Sequence, residues 1–222
     1  MNPKVLVTES IHQKGWDLLA GKVEAVPWAG AAAEPLEKAL QGVQGVIVRV
    51  ARFPGEAIRA ARDLKVIAKH GVGYDNIDVT AATACGVIVT NTPTANSQSV
   101  AEHALTLLLA VARKIGESNR DLALKNMRSQ KAYQGVELSS KVLGIIGLGS
   151  SGLRLARMVA AGLDMRVIGF DPYRDPWPEN VERFQDLNDL LAEADFLSIH
   201  VPLTQETRNL IGPAALARMK ST

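Results

Sequence analysis

Three glycines in one short segment could bring the backbone against a bound anion. Gly147, Gly149 and Gly152 have the spacing G-x-G-x-x-G and lie between an apolar run and a helical pattern. The first glycine suits a tight turn, the second a close approach of pyrophosphate, and the third close packing of helix on sheet. Ser150 and Ser151 open the helix, so a diphosphate would accept hydrogen bonds from the N–H groups of this first turn, where the helix dipole favours negative charge.

An acidic residue ends the next apolar run. Asp171 lies nineteen residues after Gly152, where a carboxylate accepts hydrogen bonds from both ribose hydroxyls of a dinucleotide. It would repel a 2′-phosphate, which predicts NAD rather than NADP, although Arg174 is close enough to soften that preference. The alternative, a glycine-rich turn without a ligand, is disfavoured because the acid has no packing reason to be there.

A second glycine turn could hold a carboxylate. Gly71-Val72-Gly73 follows a predicted strand, and the N–H groups of such a turn can form an anion-binding nest. A basic side chain beside it would help, and Lys69 or His70 could serve. Arg49, at the end of the neighbouring strand, either contacts the same ligand or forms a surface ion pair. The alternative reading of the turn is that it serves only to reverse the chain.

Composition narrows the class of protein. The 222 residues are 47% hydrophobic and 22% charged, which is ordinary for a soluble globular protein. The formal charge of +2 comes from 25 basic and 23 acidic residues, without a basic block that would favour nucleic acid. No apolar run is long enough to span a bilayer, and the single cysteine, Cys85, is expected to be a buried small residue. We therefore expect a cytoplasmic protein with a small-molecule partner, no nucleic acid, no membrane and no metal site.

The first part of the chain alternates short β-branched runs with helical stretches, a pattern typical of parallel α/β structure. It predicts a flavodoxin-like lobe. Its strands are expected at residues 5–8, 23–26, 46–50, 66–69 and 87–90, and its helices at residues 11–19, 34–40, 55–61 and 79–84.

A long helix is predicted where this lobe ends. Ser99 and Glu102 have the spacing of a capping box, and residues 104–112 are apolar on nearly every face, which is typical of a helix buried on all sides. We expect it to run to about Ser118. The chain then divides near Ser97 into a substrate-binding lobe, residues 1–97, and a nucleotide lobe, residues 98–222.

The nucleotide lobe is predicted to be a doubly wound parallel sheet, as in the Rossmann fold. Strands at residues 142–146, 166–170, 181–184 and 195–201 should stand in the order 3-2-1-4, with helices at residues 153–163 and 213–219. No fifth strand follows before residue 222, so we expect an incomplete lobe whose fourth strand keeps an unpaired edge.

Four ordered motifs make the chain resemble a known family. Besides the glycine fingerprint they are KHGVGYDNID at residues 69–78, NSQSVAEH at residues 96–103, and HVPLT at residues 200–204 followed by Thr207. Together they resemble the D-isomer-specific 2-hydroxyacid dehydrogenase family, most closely its D-3-phosphoglycerate dehydrogenase-like branch, over the whole chain.

The resemblance implies an NAD-dependent oxidoreductase that interconverts a D-2-hydroxy acid, with 3-phosphoglycerate among the candidates, and its 2-keto acid. It places the substrate carboxylate at residues 71–73 beside the nicotinamide. It places the adenosine half of NAD against His200, Val201 and Pro202, with Thr207 in the same segment. On a strand end, His200 is expected to be a packing residue rather than a catalytic histidine. The resemblance also implies a homodimer formed through the nucleotide lobe.

The catalytic residues of this family are an arginine that polarises the substrate carbonyl, a histidine that moves the proton, and a glutamate that holds up the pKa of the histidine. None is identifiable here, and all three are expected beyond residue 222, because Met219-Lys220 resembles the segment that precedes them. The chain is thus expected to be the first part of a longer enzyme and almost inactive alone. The alternative is a non-catalytic NAD-binding co-repressor or scaffold of the same family.

Overall fold

The computed structural model describes residues 2–32, 34–125 and 133–221. Its contacts divide the chain into two compact units, Met1–Ala95 and Asn96–Thr222. Both units are parallel α/β structures, which confirms the predicted fold class. The chemistry expected of each unit depends on the loops at the carboxyl ends of its strands.

The first unit is a five-stranded parallel sheet in the order β2-β1-β3-β4-β5, which is the flavodoxin-like order. Its strands are β1 (Lys4–Val7), β2 (Glu24–Pro27), β3 (Gly45–Val48), β4 (Val66–Lys69) and β5 (Ile88–Thr90). Its helices are α1 (Gln13–Leu19), α2 (Leu36–Ala39), α3 (Gly55–Ala60) and α4 (Val79–Ala84).

The register of this sheet brings three loops together at one edge. Val7 of β1 lies opposite Ile47 of β3, and Val48 of β3 lies opposite Lys69 of β4. Neighbouring strands are about 4.8 Å apart, so the segments that follow β1, β3 and β4 are close neighbours. The expected carboxylate turn and Arg49 belong to this edge.

The first core explains why these strands form. Leu6, Val46 and Ile67 are register partners on one face of the sheet and are each at most 2% exposed, and Val7 on the opposite face is also 2% exposed. This burial is expected for parallel strands covered by helices on both faces. Strand β3 nevertheless ends at Val48 rather than at the predicted residue 50. The next three N–H groups leave the ladder and donate to a side chain, as described below.

The second unit begins with two helices where one was predicted. Helix α5 (Ser97–Ala112) and helix α6 (Ile115–Lys125) are separated by Lys114, whose φ is +50°. The predicted capping box is wrong, because Asn96 is the N-cap and Glu102 accepts a hydrogen bond from the Gln98 side chain instead of reaching back to the N-cap.

The expectation that this helix is buried on all sides is also wrong. Its buried residues, Ser97, Ala101, Leu108 and Ala112, form one stripe. Leu107 is 52% exposed, so the sequence is apolar without being covered on every face. None of the described helices is both long enough and apolar enough to cross a membrane.

The second unit continues as a four-stranded parallel sheet in the order β8-β7-β6-β9, which confirms the predicted order 3-2-1-4. Its strands are β6 (Val142–Ile146), β7 (Arg166–Phe170), β8 (Glu182–Arg183) and β9 (Phe196–Ile199). Its other helices are α7 (Ser150–Leu163), α8 (Leu187–Glu193) and α9 (Pro213–Leu216). Helix α7 begins at Ser150, directly after the glycine turn, where the first helical turn was expected.

Cys85 contradicts its predicted burial. It is the C-cap of α4, and its side chain is exposed. Its small neighbours, Ala84 and Gly86, reflect the end of a short helix, where Gly86 adopts φ +70°, rather than a packed interior.

Candidate nucleotide and carboxylate sites

Steric contacts explain two of the three fingerprint glycines. Gly147 has φ +88°, and a Cβ there would lie 2.9 Å from the carbonyl oxygen of His200. A Cβ on Gly152 would lie 2.2 Å from the carbonyl oxygen of Gly147, because helix α7 passes close to the turn at this point. Side chains at either position would push the helix off the strand ends.

Gly149 is different, because space is open around it. A Cβ there would meet nothing within 4 Å. Gly149 is also the N-cap of α7, and no described side chain caps this helix. The first-turn donors at Ser150 and Ser151 therefore begin beside open space, which is the arrangement that accepts an anion. The residues present fit the diphosphate of a dinucleotide.

Asp171 has a structural role that the sequence did not reveal. One of its carboxylate oxygens accepts the N–H of Leu148 at 2.8 Å, and the other accepts the N–H of Tyr173 at 3.0 Å. Asp171 therefore has a structural reason to lie here, contrary to the expectation from the sequence. Each oxygen has a second lone pair, so the carboxylate retains acceptors for ribose hydroxyls. Arg174 donates from Nε to the carbonyl of Pro176 at 3.2 Å, within its own loop.

His200 lies at the carboxyl end of β9 and uses both ring nitrogens. Its Nδ1 is 3.1 Å from the Ser151 hydroxyl, and its Nε2 is 2.9 Å from the Ser198 hydroxyl. Burial lowers the pKa of His200 below its ordinary value of 6.5, so the imidazole is neutral at pH 7. These partners agree with a packing histidine, and they connect the strand to the first turn of α7.

The loop after His200 is braced internally. The Thr207 hydroxyl donates to the carbonyl of Pro202 at 2.5 Å and accepts the N–H of Thr204 at 2.8 Å. Val201 approaches the glycine turn, since its Cγ1 would lie 2.8 Å from a Cβ on Gly147. Thr207 thus fixes the shape of the expected adenosine wall, and direct contact of its side chain with NAD stays a prediction.

Sequence reasoning missed a contact between the loops after β7 and β9. The Tyr173 hydroxyl donates to a Glu206 carboxylate oxygen at 2.8 Å, and this hydrogen bond raises the pKa of Tyr173. Both residues lie in proline-containing loops without a periodic pattern, so no spacing signal could have paired them.

In the first unit, the glycine turn after β4 offers fewer donors than predicted. Gly71 has φ +151°, and its N–H donates to the carbonyl of Lys69 at 3.0 Å. Its own carbonyl accepts the N–H of Thr92 at 3.0 Å. The N–H groups of Val72 and Gly73 have no acceptor in the described part of the chain. The nest therefore offers two donors rather than three.

The two basic residues beside this turn differ. The Lys69 ammonium donates to the Asn76 side-chain oxygen at 2.7 Å and to the carbonyl of Arg49. It therefore fixes backbone instead of pointing freely at a ligand, which argues against its predicted binding role. His70 is exposed. Nearby, Asp78 is the N-cap of α4 and accepts the N–H of Ala81 at 2.9 Å.

Glu9, for which no sequence pattern predicts a role, organises the segment after β3. Its carboxylate accepts the N–H groups of Arg49 at 2.8 Å, Val50 at 3.0 Å and Ala51 at 2.6 Å, and the Thr8 hydroxyl. Burial acts to raise the Glu9 pKa, but these hydrogen bonds outweigh it and the pKa is lowered. The N–H groups of residues 49–51 thus form an anion-binding nest that the Glu9 carboxylate already occupies.

Arg49 is consequently held on a fixed backbone. Glu9 binds its N–H and Lys69 binds its carbonyl, whereas its side chain is exposed and has no ion-pair partner in the described segments. The predicted alternative of a surface ion pair is therefore not observed among these residues. A positioned, unpaired guanidinium is suited to bidentate binding of a carboxylate.

A cavity of about 710 Å³ opens at the same edge of the first sheet. It is framed by the segments after β1, β2 and β3 and by the start of α2, and its apolar wall includes Trp28, Leu36 and Pro54. The charged residues on its lining are Glu9, Glu37 and Arg52. Two carboxylates and one guanidinium favour a neutral group over a phosphate here.

Comparison with known proteins agrees with this geometry. The family described as D-isomer specific 2-hydroxyacid dehydrogenase, NAD binding domain, matches residues 105–222. The chain is 37% identical over 221 residues to a D-3-phosphoglycerate dehydrogenase of Archaeoglobus fulgidus, covering 98% of this chain and 42% of that protein. It therefore spans about two fifths of the length of that curated relative.

Two further proteins are similar over more of their own length. The chain is 38% identical over 220 residues to a hydroxypyruvate reductase of Thermotoga maritima, covering 98% of this chain and 71% of that protein. A crystal structure of D-lactate dehydrogenase from Aquifex aeolicus, complexed with NAD and lactic acid, superposes with a TM-score of 0.86 at 25% identity and covers 97% of this chain and 66% of that one. The chain thus belongs to the D-isomer-specific 2-hydroxyacid dehydrogenase family, with NAD as its cofactor.

Proposed function

We propose that the protein interconverts a small D-2-hydroxy acid and its 2-keto acid, using NAD as the hydride carrier. The observation that carries this proposal is the glycine turn joined to Asp171 by a hydrogen bond, in a chain of this family. Bound NAD would supply hydride chemistry, and the protein supplies binding, orientation and electrostatics.

The nucleotide half of the site is assigned to the second unit. The first-turn N–H groups of α7, at Ser150 and Ser151, would bind the diphosphate because no described side chain occupies them. Asp171 would accept the ribose hydroxyls with the lone pairs that its two backbone partners leave. His200, Val201 and Pro202 would line the adenosine half.

The carboxylate half of the site is assigned to the first unit. The two available N–H groups, of Val72 and Gly73, would hold the substrate carboxylate. Arg49 would add a charge-assisted hydrogen bond, since its guanidinium has no partner in the described chain. Lys69 is removed from direct binding in this proposal, because its ammonium braces the Arg49 backbone, whereas the exposed His70 stays a candidate for contact with the carboxylate.

The substrate is proposed to be a small unphosphorylated acid. The relative of Thermotoga maritima is a hydroxypyruvate reductase, whereas that of Archaeoglobus fulgidus acts on 3-phosphoglycerate according to its name. Beside the segment of Arg49, the lining of the cavity carries two carboxylates against one guanidinium. A phosphate dianion would meet net negative charge there, so hydroxypyruvate-sized acids fit better than phosphorylated ones.

The test is NADH oxidation by the full-length protein with hydroxypyruvate, glyoxylate, pyruvate and 3-phosphohydroxypyruvate. We expect the highest kcat/KM among the unphosphorylated acids. A higher kcat/KM for 3-phosphohydroxypyruvate would overturn the substrate proposal but keep the reaction. NAD binding without turnover of any of the four acids would instead favour the co-repressor or scaffold alternative.

A further inference from the structure

We propose that Ser198 and His200 position the Ser151 hydroxyl for the bound dinucleotide and couple its affinity to pH. The inference rests on the assignment of the first turn of α7 to the diphosphate. It goes beyond that assignment because it gives roles to three side chains rather than to backbone N–H groups.

The three side chains form a continuous hydrogen-bonded chain. Ser198 on β9 contacts Nε2 of His200 at 2.9 Å, and Nδ1 of the same ring contacts Ser151 on α7 at 3.1 Å. The backbone supports the ring, since the N–H of His200 donates to the carbonyl of Ile146 at 2.7 Å. The tautomer and charge of the imidazole therefore decide whether the Ser151 hydroxyl can donate its proton to a ligand.

A neutral imidazole has one N–H and one acceptor nitrogen. If the proton is on Nε2, Nδ1 accepts the Ser151 O–H, and Ser151 then offers only lone pairs to its surroundings. If the proton is on Nδ1, it donates to Ser151, Ser198 donates to Nε2, and the Ser151 O–H is free to donate to an anion. A bound phosphate thus selects the second tautomer, and Ser198 is the residue that makes this tautomer available.

Protonation of His200 also frees the Ser151 O–H to donate to the dinucleotide. An imidazolium donates from both nitrogens, so the Ser151 O–H is always free, and the ring adds a positive charge beside the diphosphate end of α7. By linkage, a dinucleotide that binds the protonated form better must raise the pKa of His200, and its own affinity must rise as the pH falls.

The surrounding charges do not override this effect. The charged side chains on the neighbouring segments are Arg154 and Arg157 in α7, Asp171, Arg174 and Asp175 after β7, and Glu206 and Arg208 after β9. Several are bound elsewhere: Arg154 to Ser97 and Gln98, Asp171 to two backbone N–H groups, and Glu206 to Tyr173. Burial is the single cause of the lowered His200 pKa, so His200 titrates below pH 6.5 without a coupled partner.

The experiment measures NAD affinity of the full-length protein by calorimetry between pH 7.5 and pH 5.5. We expect the Kd for NAD to fall towards lower pH, by up to about tenfold for each unit by which bound NAD raises the His200 pKa. The same rise should appear as a shift in the NMR titration of the His200 ring protons when NAD is added. H200Q should remove the pH dependence while it keeps a hydrogen-bonding side chain.

Two serine variants separate positioning from packing. S151A should weaken NAD binding at pH 7.5, whereas S198A should weaken it at pH 7.5 but less at pH 5.5, where protonation frees the Ser151 O–H without Ser198. NAD binding that is independent of pH, or a His200 pKa unmoved by NAD, would overturn the inference while the cofactor site stands. No NAD binding at any pH would overturn both. The NMR titration of the unmodified protein decides the matter even if H200Q does not fold.

Discussion

At the scale of single residues, the candidate site is built from side chains that serve the backbone first. Asp171 holds the glycine turn through Leu148 and its own loop through Tyr173, and it keeps acceptors for a ligand. Glu9 and Lys69 hold opposite sides of the Arg49 peptide in the same way. Such bracing reduces the conformational entropy lost on binding, which is how a preformed site gains affinity.

Replacing Asp171 with asparagine should weaken NAD binding and the preference for NAD over NADP. The asparagine amide has the same shape as the carboxylate, but its nitrogen cannot accept a hydrogen bond. Either a backbone N–H, of Leu148 or Tyr173, or a ribose hydroxyl therefore loses its acceptor. A lost hydrogen bond to a charged group costs about 1.5–3 kcal/mol, so we expect the Kd for NAD to rise roughly tenfold or more. Calorimetry with both dinucleotides measures this.

The matched control is Asp175→Asn, which changes an exposed carboxylate in the same loop. It removes the same formal charge and should leave both Kd values nearly unchanged. An Asp171→Asn variant that keeps the NAD to NADP ratio of the unmodified protein would refute the ribose assignment.

Replacing Glu9 with glutamine should destabilise the first unit and raise the KM for the acid substrate. A glutamine amide cannot accept the three N–H groups and the hydroxyl that Glu9 binds, so the Arg49 segment loses its support. We expect about 1–3 kcal/mol less stability by denaturant unfolding, with kcat of the full-length enzyme changed less than KM.

The pH dependence of this variant has a definite sign. The folded pKa of Glu9 lies below its ordinary 4.5, so the stabilisation is present above pH 4.5 and is lost as the pH falls through the folded pKa. The stability difference between Glu9→Gln and the unmodified protein should shrink over that range. Glu37→Gln, on the same cavity, is the control. A difference that is constant from pH 7 to pH 3 would show that the Glu9 charge does not act through these hydrogen bonds.

At the scale of elements, the turn between β6 and α7 separates steric from functional glycines. Gly147 and Gly152 sit where any Cβ would strike backbone, whereas Gly149 faces open space. The contacts agree with the steric roles that the fingerprint predicts for Gly147 and Gly152, and the role of Gly149 beside the pyrophosphate stays a prediction.

Alanine substitutions of the glycines in this segment should differ in whether they lower stability or NAD affinity. Gly152→Ala should cost several kcal/mol of stability, because its Cβ would lie 2.2 Å from the Gly147 carbonyl oxygen. Gly149→Ala should leave the melting temperature nearly unchanged but weaken NAD binding, since its methyl group enters the space left for the diphosphate. Gly162→Ala, in the same helix with open space around it, should be stabilising by up to about 1 kcal/mol. Thermal unfolding with and without NAD distinguishes the three, and a strongly destabilised Gly149→Ala would contradict this division.

Element prediction from sequence succeeded where burial is two-sided. The bounds of β6 and β7 agree with the predicted strands, because a continuous apolar run is needed for burial on both faces of a parallel sheet. It failed for α5, whose apolar faces are partly exposed, and for the end of β3. In the second case the decisive contact, Glu9 on the segment after β3, joins residues 40 to 42 positions apart, and local patterns carry no information at that separation.

At the scale of the whole molecule, two parallel sheets each present chemistry at the carboxyl ends of their strands. The order of both sheets could be predicted, because crossover rules leave few alternatives. The nucleotide fingerprint could also be predicted, because its spacing reflects steric needs. Bracing residues such as Glu9, Ser198 and Tyr173 could not, since their partners come from other strands and loops.

NAD and the acid substrate, added one after the other, should protect the second unit and then the first unit from backbone hydrogen exchange. NAD should slow backbone hydrogen exchange in the second unit, at residues 147–153, 171–174 and 200–208, because these loops supply the proposed contacts. A ligand at one hundred times its Kd stabilises the binding state by about 2.7 kcal/mol, enough to slow exchange through local opening roughly a hundredfold. Subsequent addition of a D-2-hydroxy acid should then protect residues 49–51 and 71–73 of the first unit.

Exchange measured by mass spectrometry on the full-length protein tests this order, with NADP and a neutral polyol as controls. Protection of residues 71–73 by the acid, but not by the polyol, would support the carboxylate nest that Val72 and Gly73 are proposed to form. Protection by NAD of the first unit alone would place the dinucleotide elsewhere and refute the division of roles. Acid-dependent protection should also be lost in Arg49→Gln, because the remaining two N–H groups then hold the carboxylate without the charge that the fixed arginine provides.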